Sequence, residues 1–184
     1  MKSRSEETQR ILSALDSVTI LVDKREQQTA RAEKRYKTFG CPFRRATLDY
    51  GDYSVNYQLD GAWVYNEAER IAPAVVVERK MNLDELAGCF THDRKRFEAE
   101  FQRAAEHGAR IYLLVENASW EALRAHHYRS KFLPQAFEAS VTTFMARYDM
   151  RLIMCKEETS GWLIAKILYR ELKERMEHGL DINR

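Results

Sequence analysis

No apolar stretch in these 184 residues approaches the roughly 18 needed to cross a bilayer as a helix. The amino-terminal segment, MKSRSEETQRILSALDS, mixes both charge signs and lacks the apolar centre of a secretory signal. Cytoplasmic residence is the expectation that follows, with no membrane partner. Cysteine is scarce. Cys41, Cys89 and Cys155 lie 48 and 66 residues apart, with no CxxC pair and no histidine at ligand spacing. That spacing excludes a zinc module and a disulfide framework, and leaves buried apolar thiols as the ordinary explanation. No GxSxG segment is present, so serine-hydrolase chemistry has no foothold, and none of the cysteines has a paired histidine. Internal repeats, low-complexity tracts and linkers are missing too, which leaves one domain. Charge of one sign is also lacking: the net charge is +2, too small to announce a polyanion partner.

What is present is 45% hydrophobic and 32% charged residues, an ordinary globular balance. A domain of this length buries roughly 70% of its unfolded surface and needs no staple. The charges are unevenly distributed. Lys24 to Arg45 holds eight Lys or Arg against Glu26 and Glu33, and Arg94-Lys95-Arg96 forms a second cluster. Each is either a solvated face or a phosphate-binding surface.

Periodicity divides the chain. Residues 5–16 have Ile11, Leu12 and Leu15 at helical spacing. Val18 to Val22 is a β-branched run, the pattern of a strand covered on both faces. A charged helix from Thr29 to Phe39 is closed by Gly40 and Pro42. Ala46 to Tyr57 alternates weakly, and Asp60-Gly61 marks a hairpin turn into Ala62–Tyr65. Ala74 to Val77 is another buried strand, running into Glu78-Arg79-Lys80. Asn82 with Glu85 resembles a capping box opening a helical region that reaches Glu106, is broken near Thr91-His92-Asp93 and ends at Gly108. A strand at Arg110–Val115, helices at 119–127 and 134–147, a strand at Arg151–Cys155 and a helix at Glu158–His178 complete the order. This alternation predicts a three-layer α/β/α domain around a mixed sheet, with residues 1–17 as a helical extension, 18–178 as the domain and 179–184 as a tail.

Glu78 and Lys80 are two apart on a strand and therefore share a face, with Arg79 on the other. A carboxylate beside an ammonium suits metal-assisted phosphodiester hydrolysis: the acid holds a hard cation, and the lysine positions or activates water. The plain alternative is a strand end showing its charges to solvent. Gly51-Asp52-Tyr53 adds a second acid, since a glycine before Asp52 permits a tight turn. Two carboxylates about 4 Å apart repel by roughly 4 kcal/mol at an effective dielectric near 20, so such a pair calls for a cation or a proton. Alone, Asp52 would be a turn residue capping its own backbone. His126-His127, near Trp120 and Tyr128, read as surface or packing residues.

The order Gly51-Asp52 … Glu78-Arg79-Lys80-x-x-x-Asp84 resembles the GD…ERKxxxD signature of the XPF-type structure-specific nucleases, a branch of the PD-(D/E)xK superfamily with a restriction-endonuclease-like fold. Leu21-Val22-Asp23-Lys24-Arg25-Glu26 is similar to that family's V-D-x-R-E strand, and Leu48-x-x-Gly51-Asp52-Tyr53 to its L-x-x-G-D-Y segment. Asp84-Glu85-Leu86 through Arg94-Lys95-Arg96-Phe97 with Gln102 resembles its D-L … D-G-R-F … Q helix, and Ala146-Arg147-Tyr148 with Glu157-Glu158-Thr159 its RY … E-T ending. Coverage is about residues 18–172.

The resemblance implies an endonuclease that cuts DNA at branched, flap or fork structures using Mg²⁺, with Mn²⁺ as its substitute. Asp52 and Glu78 would be metal ligands and Lys80 the catalytic lysine. Asp23 would stand at the metal edge, directly or through water. Arg25, Arg79 and Asp84 would support the site, Arg79 either by an ion pair with Asp84 or Asp23 or by phosphate contact. A catalytically inactive DNA-binding or dimerisation subunit is the alternative. The short length is most similar to stand-alone members encoded by bacteria or phages, and pairing through the carboxy-terminal helices would give a homodimer. Asp93-Arg94-Lys95-Arg96-Phe97 departs from D-G-R-F by an insertion and a lost glycine. No helix-hairpin-helix pair is read after residue 178, so Arg25, Arg94, Lys95 and Arg96, or a partner chain, would hold the DNA. Whether Arg129-Ser130-Lys131 touches phosphate stays open.

Overall fold

The computed structural model describes residues 4–178; the expected tail at 179–184 lies outside them. The element order is α1 (Arg4–Asp16), β1 (Thr19–Asp23), α2 (Ala30–Lys37), β2 (Phe43–Leu48), β3 (Tyr53–Asn56), β4 (Gln58–Leu59), β5 (Ala62–Trp63), β6 (Arg70–Ile71), β7 (Val75–Lys80), α3 (Leu83–Phe90), α4 (Arg94–Glu106), β8 (Arg110–Glu116), α5 (Trp120–Arg124), α6 (Pro134–Tyr148), β9 (Arg151–Cys155) and α7 (Glu157–Glu177). Seven strands form one mixed sheet in the order β6-β2-β1-β3-β7-β8-β9, and β4 and β5 form a separate hairpin. β3 runs antiparallel to both β1 and β7, whereas β7, β8 and β9 are mutually parallel.

Strict alternation distributes the core. Val75 and Val77 face α1, α2 and α7, packing with Ile20, Val22, Val55, Ile164 and Leu168. Val76 faces α3 to α6, packing with Leu86, Phe97, Phe101, Phe137 and Phe144. Helices on both faces make the expected three layers. α1 belongs to this body: Ala14 and Leu15 are buried in the same core as α7.

Two local expectations change. The stretch Ala46 to Tyr57 is two strands, because Gly51 adopts φ +73° and turns the chain between them. Any Cβ there would lie 2.6 Å from the Val76 Cβ, so the turn is pressed onto β7. The expected helix at 119–127 stops at Arg124, and His126 takes φ +57° beyond it. The hairpin turn at Asp60-Gly61 is present with both residues at positive φ, although β5 covers only two residues. Asn82 Oδ1 accepts from the Glu85 N–H (2.9 Å) while Glu85 Oε2 accepts from the Met81 N–H (2.6 Å), the reciprocal arrangement expected at the start of α3.

Between the sheet and α2 lies a cluster of four charges. Arg35 pairs with Glu116 (3.0 Å) and Glu26 (3.3 Å), and Arg79 pairs with the same two acids (3.2 Å each). Tyr53 Oη donates to Glu26 (2.7 Å), and Arg35 also donates to Ser160 Oγ at the start of α7 (3.3 Å). Gly161 lets α7 come this close: an added Cβ would meet the Arg35 carbonyl oxygen at 2.2 Å. Glu116 is 1% exposed. Glu116→Ala is expected to leave two guanidinium groups with Glu26 as their one shared acid, costing about 3–5 kcal/mol in urea unfolding. A loss below about 1 kcal/mol would show that the cluster is not what holds α2 to the sheet.

Candidate active site

Both strand directions bring acids to one end of the sheet. Glu78 and Lys80 close β7, Asp23 closes β1, and Asp52 stands just before β3, which enters from that same end. The Asp52 backbone is held on both sides: the Asp23 N–H donates to its carbonyl (2.8 Å), and its own N–H donates to Val77 O (3.0 Å). Its Oδ2 accepts from the Arg79 N–H (2.8 Å). The carboxylate is thereby fixed beside β7 and opens on a groove of about 500 Å³ lined by Arg25, Glu26, Arg31, Arg79, Glu85 and Arg96 among others.

Glu78 and Lys80 share a face, as their spacing requires. Lys80 Nζ lies 2.5 Å from Glu78 Oε1, over the Phe97 ring at 5.5 Å. Glu78 Oε2 is buried and has no hydrogen-bond partner among the described residues. Burial raises the pKa of Glu78, against the pull of Lys80. Burial, and then the charge of Glu78, pushes Asp52 up to about 8. Burial alone would lower Lys80, but Glu78 and Asp52 outweigh it and hold the ammonium above its ordinary value.

Arg79 points to the opposite face, as expected, but its partners differ. It pairs with Glu26 and Glu116 rather than Asp84 or Asp23, because the side chain turns under the sheet end towards α2. Asp23 is buried with both oxygens engaged: Oδ1 by the Arg25 N–H and Nε (2.7 Å each), Oδ2 by the Leu48 N–H (2.8 Å). Among the described residues no three His, Cys, Asp or Glu side chains are grouped as a metal site. Asp84 points elsewhere too. Its Oδ1 accepts from the Arg129 and Ser130 N–H groups (2.7 and 2.8 Å), anchoring the loop before α6.

Of the basic residues, Arg25 and Arg96 line the groove, with Arg25 also donating to Leu48 O (3.2 Å). Arg94 and Lys95 are exposed on the first turn of α4. His126 and His127 are exposed, and His126 Nε2 lies 2.9 Å from Ser130 O.

Sequence reasoning missed Glu100. From α4 its Oε1 accepts the Gly51 N–H (2.8 Å), clamping the turn that carries Asp52, and its charge raises the pKa of Glu78. Gln102, singled out instead, bonds Glu106 on the outer surface (3.1 Å). The two sit two residues apart on one helix, and only the packing of α4 decides which faces inward. Glu26, within the V-D-K-R-E segment, was legible as part of that motif but not as the partner of both buried arginines.

The architecture is a three-layer α/β/α fold around a mixed seven-stranded sheet. The chain belongs to the ERCC4 domain family, whose model matches residues 22–165. It is similar in structure to XPF from Aeropyrum pernix at TM-score 0.57 and 19% identity, over 83% of this chain and 61% of that one. XPF from the same organism in complex with DNA matches at TM-score 0.57 and 21% identity, over 85% of this chain and 65% of that one. The chain thus spans less than two thirds of the length of these relatives. A comparison with curated proteins found no match.

The donor set fits a small hard cation. A buried oxygen with no hydrogen bond among the described residues, near a second acid forced towards its neutral form, is an electrostatic shortfall that a divalent cation held by the two carboxylates would relieve. A pH dependence follows. Between about pH 4, where an unfolded aspartate ionises, and about pH 8, folded Asp52 keeps a proton that the unfolded chain has released. Stability of the metal-free protein therefore falls as pH rises through that window. Added Mg²⁺ or Mn²⁺ is expected to raise the thermal midpoint, measured against EDTA, more at about pH 8 than at about pH 5, where it must displace the proton. Equal shifts at both pH values would remove Asp52 from the cation site.

Proposed function

We propose that this domain is an active, divalent-metal-dependent DNA endonuclease that cuts at branched, flap or fork structures, with Mg²⁺ as its cofactor. The observation that carries the reading is Glu78: one oxygen held by Lys80 at 2.5 Å, the other buried without a hydrogen-bond partner among the described residues, beside an Asp52 pushed up to about 8. A cation held by Asp52 and Glu78 would supply Lewis-acid stabilisation of the charge developing on the phosphate.

The remaining work falls to side chains. Lys80 stays protonated through neutrality, so it acts as a donor that orients the attacking water and answers developing negative charge, not as a base. The buried cluster with Glu26 and Glu116 holds Arg79, whose N–H orients Asp52 while its side chain lines the groove. Glu100 holds the Gly51 turn. Arg25 and Arg96 supply positive charge along the groove for DNA phosphates, and Arg94 and Lys95 extend it. Three cations in the first turn of α4 oppose the helix dipole, a cost of a few tenths of a kcal/mol or more each that a bound anion would reverse. The inactive-subunit alternative has less support, since Asp52, Glu78, Arg79, Lys80 and Asp84 are all retained.

The test is Mg²⁺-dependent cutting of a labelled forked duplex. Glu78→Ala and Lys80→Ala are each expected to slow cleavage by about 10²–10⁴-fold. Glu100→Ala should slow it less, and Glu100→Gln, which keeps an acceptor for the Gly51 N–H, should recover most of the loss. Cutting by Glu78→Ala and Lys80→Ala at the parental rate would refute the site.

We also propose a homodimer formed through α6, β9 and α7. Met145 and Trp162 expose large apolar side chains, 38% and 49%, and the edge strand β9 is half-buried along its whole length. Light scattering at micromolar concentration should give twice the 21.7 kDa chain mass; a monomer would end this reading.

A further inference from the structure

The end of α5 and its connector to α6 are held by several hydrogen bonds and carry three cations, of which Arg129 alone has an ion pair among the described residues. Asp84, in the first turn of α3, holds the Arg129 and Ser130 N–H groups. Tyr128 Oη donates to Phe132 O (2.7 Å), and its ring stands edge-on to Phe137 at 5.4 Å. His126, at φ +57°, closes the loop against Ser130 O. Arg124, Arg129 and Lys131 project from this frame into solvent, the Arg129 side chain 90% exposed. From Ala122 to Phe137 the chain contains no acid. Arg129 lies 3.4 Å from Asp84, an exposed pair of small value, while Arg124 and Lys131 have no ion pair among the described residues.

The loop's place is as informative as its charge. β7 and β8 are parallel, with Lys80 opposite Val115, so the chain that leaves β8 into α5 emerges at the sheet end that carries Glu78. Asp84 follows Lys80 by four residues. At roughly 3.5 Å per residue the loop's anchor stands no more than about 14 Å from Lys80. Duplex DNA advances about 3.4 Å per base pair, so this reach corresponds to about four base pairs. Three cations in an acid-free stretch, on a backbone fixed beside the groove, suit a regular series of anions better than a single small ligand.

We propose that the Arg124–Lys131 loop is a second nucleic-acid contact, gripping the phosphate backbone of duplex DNA beside the point of cleavage, with Asp84 setting its position. This rests on the nuclease reading and adds to it a second contact surface separate from the Arg25 and Arg96 groove. The contact is sequence-independent, since phosphates position a duplex without identifying its bases.

The experiment is fluorescence anisotropy of a labelled forked duplex with the full chain in EDTA, where binding is read without cleavage. The triple variant Arg124→Gln, Arg129→Gln, Lys131→Gln should bind about tenfold or more weakly at moderate salt. Its slope of log affinity against log salt should be shallower by about 2.7, at about 0.9 per lost phosphate contact. The double variant Arg124→Gln, Lys131→Gln keeps the Arg129–Asp84 pair, guards against a folding defect and should lose about 1.8. Trimming one duplex arm to fewer than about four base pairs should erase the difference between parent and variants. If the parent binds and cuts while both variants keep its affinity and slope, the loop faces something other than DNA and the proposal falls alone. If the parent neither binds nor cuts, the nuclease reading falls with it.

Discussion

Two arginines and two glutamates, neutral as a set and packed between α2 and the end of the sheet at the floor of the groove, hold that end of the molecule in place. Arg79 follows Glu78 and precedes Lys80, so whatever fixes its side chain also fixes the twist of the strand end carrying both. Its N–H reaches Asp52, and its guanidinium reaches Glu26 and Glu116. A buried ion cluster of this kind is a poor source of net stability, because desolvation offsets most of the attraction. Its value is geometric: each charge has a single arrangement in which it is fully answered, and that arrangement aims the acids.

The site above it is left incompletely answered. Glu78 is buried and paired with Lys80, Asp52 stands at the edge of the groove within reach of its charge, and Glu78 keeps an oxygen with no hydrogen-bond partner among the described residues. A fold that satisfies Arg35, Arg79, Glu26 and Glu116 so thoroughly, and a few ångströms away tolerates this shortfall, concentrates its electrostatic strain where a cation would relieve it. The preorganised field is therefore part of the resting protein and does not have to be assembled when substrate arrives.

Much of this was legible without coordinates. The two-residue spacing of Glu78 and Lys80 on a β-branched strand dictates a common face, and the glycine before Asp52 permits the turn that Gly51 makes at φ +73°. Asn82 and Glu85 open α3, and Thr91 to Asp93 breaks the helical run as expected. The losses have physical causes. Arg79 has acids available on several segments, and only the tertiary placement of Glu26 after β1 and Glu116 at the end of β8 selects them over Asp23 and Asp84. Glu100 and Gln102 are both polar and differ by about 200° around α4. Nothing local states which one looks at Gly51. Asp23 and Asp84 carry acids where the family resemblance puts them, yet their oxygens are spent on backbone N–H groups, a use that only tertiary structure reveals.

Gly161 lies outside any chemistry, yet α7 rests there on the Arg35 carbonyl with room for a hydrogen atom and nothing more. That contact sets the depth at which Arg35 meets Glu116, and through it the pose of the strand end. In any collection of related chains, an invariant glycine at this point of the last helix would look like a signature residue. Its invariance would be mechanical, the tolerance of a bearing surface on which the strand end with Glu78 and Lys80 is mounted.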